Sequence, residues 1–313
     1  MSRFRAIAVI AVVAIAFSSL GCGARSEGGS GASSAAGSGK LTVLVDSYPL
    51  AYFAQRIGGD RVEVSFPAPR GVDPSFWKPD AATVALYQKA DSILINGAGF
   101  AAWVDTATLP GSRVVDTSAA IADRLLPLEG AVTHSHGGMG EHSHSGFATR
   151  LWLDPTLATA QATAIASAFA AARPDDKASF DQGLAALRAD LDAIDAKLTA
   201  LASRIGATPL LFSHPVYAYL IRRCGLNGRS LHWEPAEVPG HFALAQLDEK
   251  LEGHPAKLLV WEAEPVAETM AELERRGITS VVFDPLAEAP ASGDYLSVMN
   301  QNIARLEAAF PVT

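Results

Sequence analysis

The clearest pattern runs from Asp175 to Gly206, where Phe180, Leu184, Leu187, Leu191, Ile194, Leu198, Leu201 and Ile205 recur at alternating spacings of four and three. That period lays one apolar stripe along a single helix, about 45 Å long at about 1.5 Å per residue. Pro174 and the two aspartates after it suit an N-terminus, and Gly206 suits an end. A helix of this length is more than one small domain needs. We read it as a strut between two lobes, with a coiled-coil dimer as the competing reading.

Before the strut, short apolar runs alternate with helical patterns. Leu41–Val45, the alternating Val62, Val64 and Phe66, Ser92–Asn96 and Ser112–Asp116 read as strands; Tyr48–Ile57, Ala81–Lys89 and Thr156–Ala172 read as helices. The alternation resumes after the strut. Pro209–Phe212, Lys257–Trp261 and Ser280–Phe283 read as strands, and Pro215–Cys224, Val266–Arg276 and Asp294–Ala309 as helices. The pattern predicts the α/β class, with two small lobes, each a mostly parallel sheet flanked by helices, joined by one long rigid linker helix. The expected boundaries are 40–172 for the first lobe, 173–206 for the linker and 207–313 for the second lobe.

The first 39 residues fall outside this pattern. Arg3 and Arg5 precede an apolar run, Ala6–Phe17, and then Ser19-Leu20-Gly21-Cys22. The run is too short to span a bilayer and has the layout of an export signal over residues 1–22. A cysteine after glycine at this point resembles the bacterial lipoprotein box, which implies lipidation of Cys22; an ordinary secretory signal is the alternative. Residues 23–39, rich in glycine, serine and alanine, have the composition of a flexible tether. The body is therefore expected outside the cytoplasm, in the periplasm or at the cell surface, held to the membrane by a lipid anchor.

Charge and cysteine content narrow the partners. A formal charge of −8 leaves no basic patch for nucleic acid. Of two cysteines only Cys224 lies beyond residue 22, so the mature chain has no intrachain disulfide. Cys224 reads as a buried small hydrophobe.

Candidate chemistry concentrates in two stretches. Residues 133–146 hold four of the eight histidines (His134, His136, His142 and His144) among glycine and serine. With so little apolar content this stretch is expected to be a mobile loop whose neutral imidazoles capture a transition metal; a merely solvated loop is the alternative. In Leu231-His232-Trp233-Glu234-Pro235, His232 and Glu234 offer a second pair of donors two residues apart, against the alternative of a packed loop. His241 and His254 read as surface residues; Trp77, Trp103, Trp152 and Trp233 read as core and cleft walls. Imidazole-rich donors favour zinc over manganese. The chain has no H-E-x-x-H, nucleophile elbow or glycine-rich phosphate loop, so a noncatalytic role is expected.

A series of short motifs then carries a resemblance. Tyr48-Pro49, Ile57-Gly58-Gly59-Asp60, Gly71-Val72-Asp73-Pro74, Asn96-Gly97, Trp152-Leu153-Asp154-Pro155, Ser213-His214, Gly225-Leu226 and Phe283-Asp284-Pro285-Leu286 occur in order along the mature chain. The series resembles the zinc/manganese-binding solute-binding lipoproteins of ABC importers. The histidine-rich stretch before Trp152 is similar to that of the zinc-specific branch. The resemblance implies a monomer that delivers its ion to an ABC permease. It also implies four ligand positions, of which His214 and Asp284 are retained. Ser75 and Arg150 stand where the other two ligands, both histidines, are found, and Lys78 stands where glutamate is common. Serine is a poor zinc ligand and arginine cannot lose its proton. Arg150 is thus expected to point away from the metal position or to pair with Asp284 or another carboxylate. The missing donors would come from His142 and His144 or from His232 and Glu234. A second reading keeps the fold but binds an anion or an anionic metal chelate through Arg150 and Lys78.

Overall fold

The computed structural model describes residues 39–128, 132–135, 141–144 and 146–311, with side chains left undescribed in the two short internal segments. The expected export signal, Cys22, the expected tether apart from Gly39, and His136 lie outside these residues. Among the described residues no helix is long and apolar enough to cross a membrane.

Two four-stranded parallel sheets organise the body. In the first lobe, β1 (Leu41–Val45), β2 (Val62–Ser65), β3 (Ser92–Ile95) and β4 (Val114–Asp116) lie in the order β2-β1-β3-β4. Crossovers include α1 (Tyr48–Gly58) and α2 (Ala81–Lys89), and α3 (Pro155–Ala172) closes the lobe. In the second lobe, β7 (Leu210–Phe212), β8 (Gly228–Ser230), β9 (Leu258–Trp261) and β10 (Thr279–Val282) lie in the order β10-β9-β7-β8. They are joined by α5 (Ala218–Cys224), α6 (His241–Glu252) and α7 (Ala267–Arg275), and α8 (Tyr295–Ala309) ends the chain. The central strands read LTVLV, SILI and LLVW because both faces of each sheet are covered by helices.

The strut is α4, Lys177–Ile205, entered through a turn of 3-10 helix at Pro174–Asp176. Its predicted stripe is buried from Phe180 to Ile205, except that Leu184 is half-buried. The stripe packs on α1 and α3 in the first lobe and on α8 in the second, so one apolar core runs through both. This intramolecular packing accounts for the stripe without a coiled-coil partner. Gly183 lets the backbones of α4 and α1 meet, since a β-carbon there would stand 2.5 Å from the Ile57 carbonyl oxygen.

Asp154 shows why the W-L-D-P segment reads so clearly. Its carboxylate accepts from the Thr156 amide and hydroxyl, capping α3 with Pro155 in the first turn. The lobes are also tied directly. The Trp152 indole donates to the Pro285 carbonyl at 2.6 Å, and the Tyr295 hydroxyl donates to the Trp152 carbonyl at 2.7 Å, both buried. The Tyr48 amide donates to Ala287, and the Tyr219 hydroxyl to Ala148. These hydrogen bonds between the lobes oppose any wide opening.

Several expectations change. The histidine-rich stretch, expected as a loop, contains an antiparallel ladder: β5 (Val132–Ser135) pairs with β6 (Glu141–His144), His134 opposite His142. Alternation of histidine with Ser, Thr and Glu is compatible with a two-stranded ribbon even where apolar content is low. His254 is buried rather than on the surface, its ring 2.8 Å from the Leu210 carbonyl oxygen. Cys224 is half-buried, with its thiol pushed up to about 11 by desolvation. Trp103, Trp152 and Trp233 are buried, and half-buried Trp77 packs edge-on against Trp103.

One buried acid gives the fold a pH signature. Asp46, at the carboxyl end of β1, is 2% exposed, and burial pushes its carboxyl from 3.8 to about 7. In the folded chain it holds its proton over a range where the unfolded chain has lost it. Raising the pH from about 4 to about 7 therefore favours unfolding at this residue. The thermal midpoint of the Asp46→Asn variant should fall less than that of the unsubstituted chain over that range, as followed by circular dichroism.

Candidate metal centre

The carboxyl ends of parallel strands are where open α/β sheets gather ligands. In the second lobe the strand ladder continues past the strand ends. The Ser213 amide donates to the Val260 carbonyl at 2.8 Å, the Trp233 amide to Ser213 at 2.9 Å, and the Phe283 amide to Trp261 at 2.8 Å. The residues that follow form a row across the sheet edge in the order Asp284, Glu262, His214 and Glu234.

His214 sits in extended backbone just before Pro215 and is 7% exposed. Its Nε2 lies 3.3 Å from Glu234 Oε1 and its Nδ1 lies 4.0 Å from Glu262 Oε1. A carboxylate thus faces each ring nitrogen. The His232 ring stands perpendicular to that of His214, centroids 5.5 Å apart. The sequence explains this approach. Leu231 and Trp233 point into the lobe and are buried, so the period of two turns His232 and Glu234 the other way, toward His214. Both predicted donors of this segment therefore reach the retained histidine.

Glu262 is the residue that sequence reasoning missed. It follows the fully buried strand LLVW directly, and burial pushes its carboxyl up to about 6 against the pull of His214 and Arg150. Asp284 stands one strand beyond it. Its Oδ1 accepts from the Leu286 amide at 2.7 Å, closing the turn that its Asp-Pro sequence suggests. Burial raises its carboxyl too. Asp284 shares with Glu262 a cavity of about 510 Å³. The structure brings Glu262 to the side of His214.

The first-lobe side is closed by an ion pair. Arg150 is 4% exposed, its Nη2 2.6 Å from Asp73 Oδ2, and its guanidinium lies over the rings of Phe100 and Trp152 at 5.0 and 5.8 Å. The Ser75 hydroxyl and amide both donate to Asp73 Oδ1, at 2.7 and 2.9 Å. Burial alone would raise the Asp73 carboxyl, but Arg150 and Ser75 outweigh it and hold it below the usual range. Arg150 thus pairs with a carboxylate as expected, but with Asp73 rather than Asp284. Lys78 is exposed. An anion site built on Arg150 and Lys78 finds one charge already neutralised and the other in solvent.

Among the described residues, no three His, Cys, Asp or Glu side chains stand close enough together to hold an ion as they are. Glu234 lies 3.3 Å from His214 Nε2, Glu262 lies 4.0 Å from its Nδ1, and the His232 ring packs against the His214 ring. His134, His142 and His144 lie on the β5–β6 ladder, where only the backbone is described.

Residues 43–309 match the family described as zinc-uptake complex component A, periplasmic. The chain belongs to that family. It is 27% identical over 282 residues to the zinc-binding lipoprotein AdcA of Streptococcus pneumoniae serotype 4 (strain ATCC BAA-334 / TIGR4), covering 86% of this chain and 56% of AdcA. This chain thus spans about half the length of that relative. The metal ABC transporter substrate-binding lipoprotein FimA of Streptococcus parasanguinis is 26% identical over 307 residues, 94% of each chain. Among solved structures, the metal-dependent lipoprotein YcdH of Bacillus subtilis superposes with a TM-score of 0.74 at 22% identity, over 87% of this chain and 100% of that one. The Zn(II)-bound ZnuA-like domain of Streptococcus pneumoniae AdcA gives 0.73 at 23%, over 87% and 99%. These likenesses fix the two-lobed fold with its long linking helix. The relatives are described as metal-binding proteins and not as enzymes.

Proposed function

We propose that this chain is the extracytoplasmic, lipid-anchored component of a metal ABC importer, and that it binds zinc and passes it as a single chain to the permease. The carrying observation is the convergence of His214, His232, Glu234 and Glu262 at one sheet edge, while Arg150 and Asp73 close the opposite side. Two imidazoles and two carboxylates form a donor set suited to a borderline divalent ion, with zinc ahead of manganese. The ion would be held by the second lobe. Loading would then require rotation of a few side chains rather than closure of the lobes, in keeping with the hydrogen bonds that tie them. The histidines of the β5–β6 ladder would gather ions and hand them on. Cys22 would be the lipid attachment point, with residues 23–39 as the leash.

The test is calorimetric titration of the mature chain with zinc, beside a variant with His134, His136, His142 and His144 all changed to alanine. One tight site should survive in the variant and weaker additional binding should disappear. Loss of all tight binding in the variant would move the principal site to the ladder and contradict this reading.

A further inference from the structure

We propose that Glu288 latches the segment 67–72 across the gap between the lobes, and that this latch sets the rate at which the ion enters and leaves. This rests on the second-lobe reading of the zinc site, and it adds the route by which the ion reaches that site. His214 is 7% exposed, so an ion needs a way past the residues around it. The lobes are tied to each other, so the way in is local. Asp73, at the end of the segment, is near enough to Glu262 to push that carboxyl up, and Glu262 faces His214. Glu288 is in turn within electrostatic reach of Asp73, Arg150 and Asp284. Its bridge to the segment therefore crosses the gap beside the metal cluster.

Residues 284–288 are the fixed post of this latch. Pro285 and Ala287 accept from the Trp152 indole and the Tyr48 amide through backbone carbonyls. Glu288 makes the third contact with a side chain, its Oε2 accepting from the Gly71 amide at 2.6 Å near solvent. That contact can break while the other two keep the lobes together. The post is held hard on its own lobe. Buried Leu286 takes φ 58°, a left-handed conformation that is unfavourable for leucine, and Asp284 Oδ1 accepts from its amide. The Asn302 side chain clamps the Asp284 backbone, accepting from its N–H at 3.0 Å and donating to its carbonyl at 2.8 Å. The moving part is therefore the segment. Its far end is fixed to the first lobe, where Arg150 holds Asp73 and Trp77 packs against Trp103. Pro67 and Pro69 stiffen the stretch that leads to Gly71. A stiff flap pinned at Asp73 and held across the gap by one charged hydrogen bond is a gate.

The test compares the mature chain with Glu288→Ala and Glu288→Gln, with thermal unfolding to check that both variants fold. Deuterium uptake over residues 67–72, followed by mass spectrometry without metal, reads the latch. Stopped-flow mixing with zinc, and then with a chelator, reads the rates of entry and release. In Glu288→Ala uptake should speed up about tenfold or more, the worth of a lost hydrogen bond to a charged group. Both zinc rates should rise together, so that affinity changes far less than either rate. Glu288→Gln removes the charge but keeps an acceptor for the Gly71 amide. Any effect of charge on affinity should therefore appear in both variants, and the rise in both rates only in Glu288→Ala. Unchanged uptake in Glu288→Ala overturns the latch. Faster uptake with zinc rates equal to those of Glu288→Gln overturns the gate. An unsubstituted chain that binds no zinc contradicts the metal-site reading and the gate with it, while deuterium uptake still decides whether Glu288 holds the segment.

Discussion

Changing His214 to alanine should weaken zinc binding by at least about 100-fold, since even the supporting partners of metal ligands are worth about 10–100-fold. His214 is the buried centre of the cluster, with carboxylates on both ring nitrogens. Its removal takes away the ring that Glu234 and Glu262 both face. Glu234→Gln and Glu262→Gln should each act in the same direction, because each removes a negative charge from a partly desolvated cation site without changing its shape. Asp284→Asn should have a smaller effect, since one oxygen of Asp284 already serves its own turn. Zinc titration of the four variants checks the ranking. Asp284→Asn matching His214→Ala, with Glu262→Gln indistinguishable from the unsubstituted chain, would reverse the assignment.

The second large effect lies in the Arg150–Asp73 pair and should be asymmetric. Asp73→Ala strands a guanidinium that is 4% exposed, at a cost of about 3–5 kcal/mol. Arg150→Met leaves Asp73 a third exposed, where water can replace the lost partner. A methionine also fills much of the space against Phe100 and Trp152, so the cost should be nearer about 1 kcal/mol. Arg150→Met should at the same time tighten zinc binding, since it removes a positive charge that acts on Glu262 beside a divalent-ion site. Urea unfolding and zinc titration of the two variants separate these outcomes. Equal destabilisation, or weaker zinc binding in Arg150→Met, would mean that the arginine supports the site rather than opposing it.

Much of this architecture was legible from the chain. The stripe from Phe180 to Ile205 specified the strut because its apolar positions repeat over many turns. The apolar runs at Leu41–Val45, Ser92–Ile95 and Leu258–Trp261 specified buried parallel strands. Strand β8, Gly228–Ser230, was not legible, since three residues reading Gly-Arg-Ser at a sheet edge carry no apolar signal. Helix α6 did offer a usable pattern in Leu244, Leu247 and Leu251, which share one helical face.

The metal centre was half legible. His214 and the His232–Glu234 pair stood out by residue type and spacing. Glu262 did not, because one acid after a strand looks like any turn residue. Its available signal was position, directly after a wholly apolar strand of a parallel sheet. The partner of Arg150 was hidden in a similar way. Asp73 was visible as part of Gly-Val-Asp-Pro, but only the tertiary fold brings residues 73 and 150 together.

The central claim is that the ion binds to the second lobe alone. Its most direct test is diffraction at the zinc absorption edge from crystals of the mature chain grown with one equivalent of zinc. The account predicts an anomalous peak within bonding distance of His214 Nε2 and a Glu234 oxygen, with the Arg150–Asp73 pair intact. A peak beside Asp73 with Arg150 displaced, or peaks confined to the β5–β6 ladder with none at His214, would contradict it.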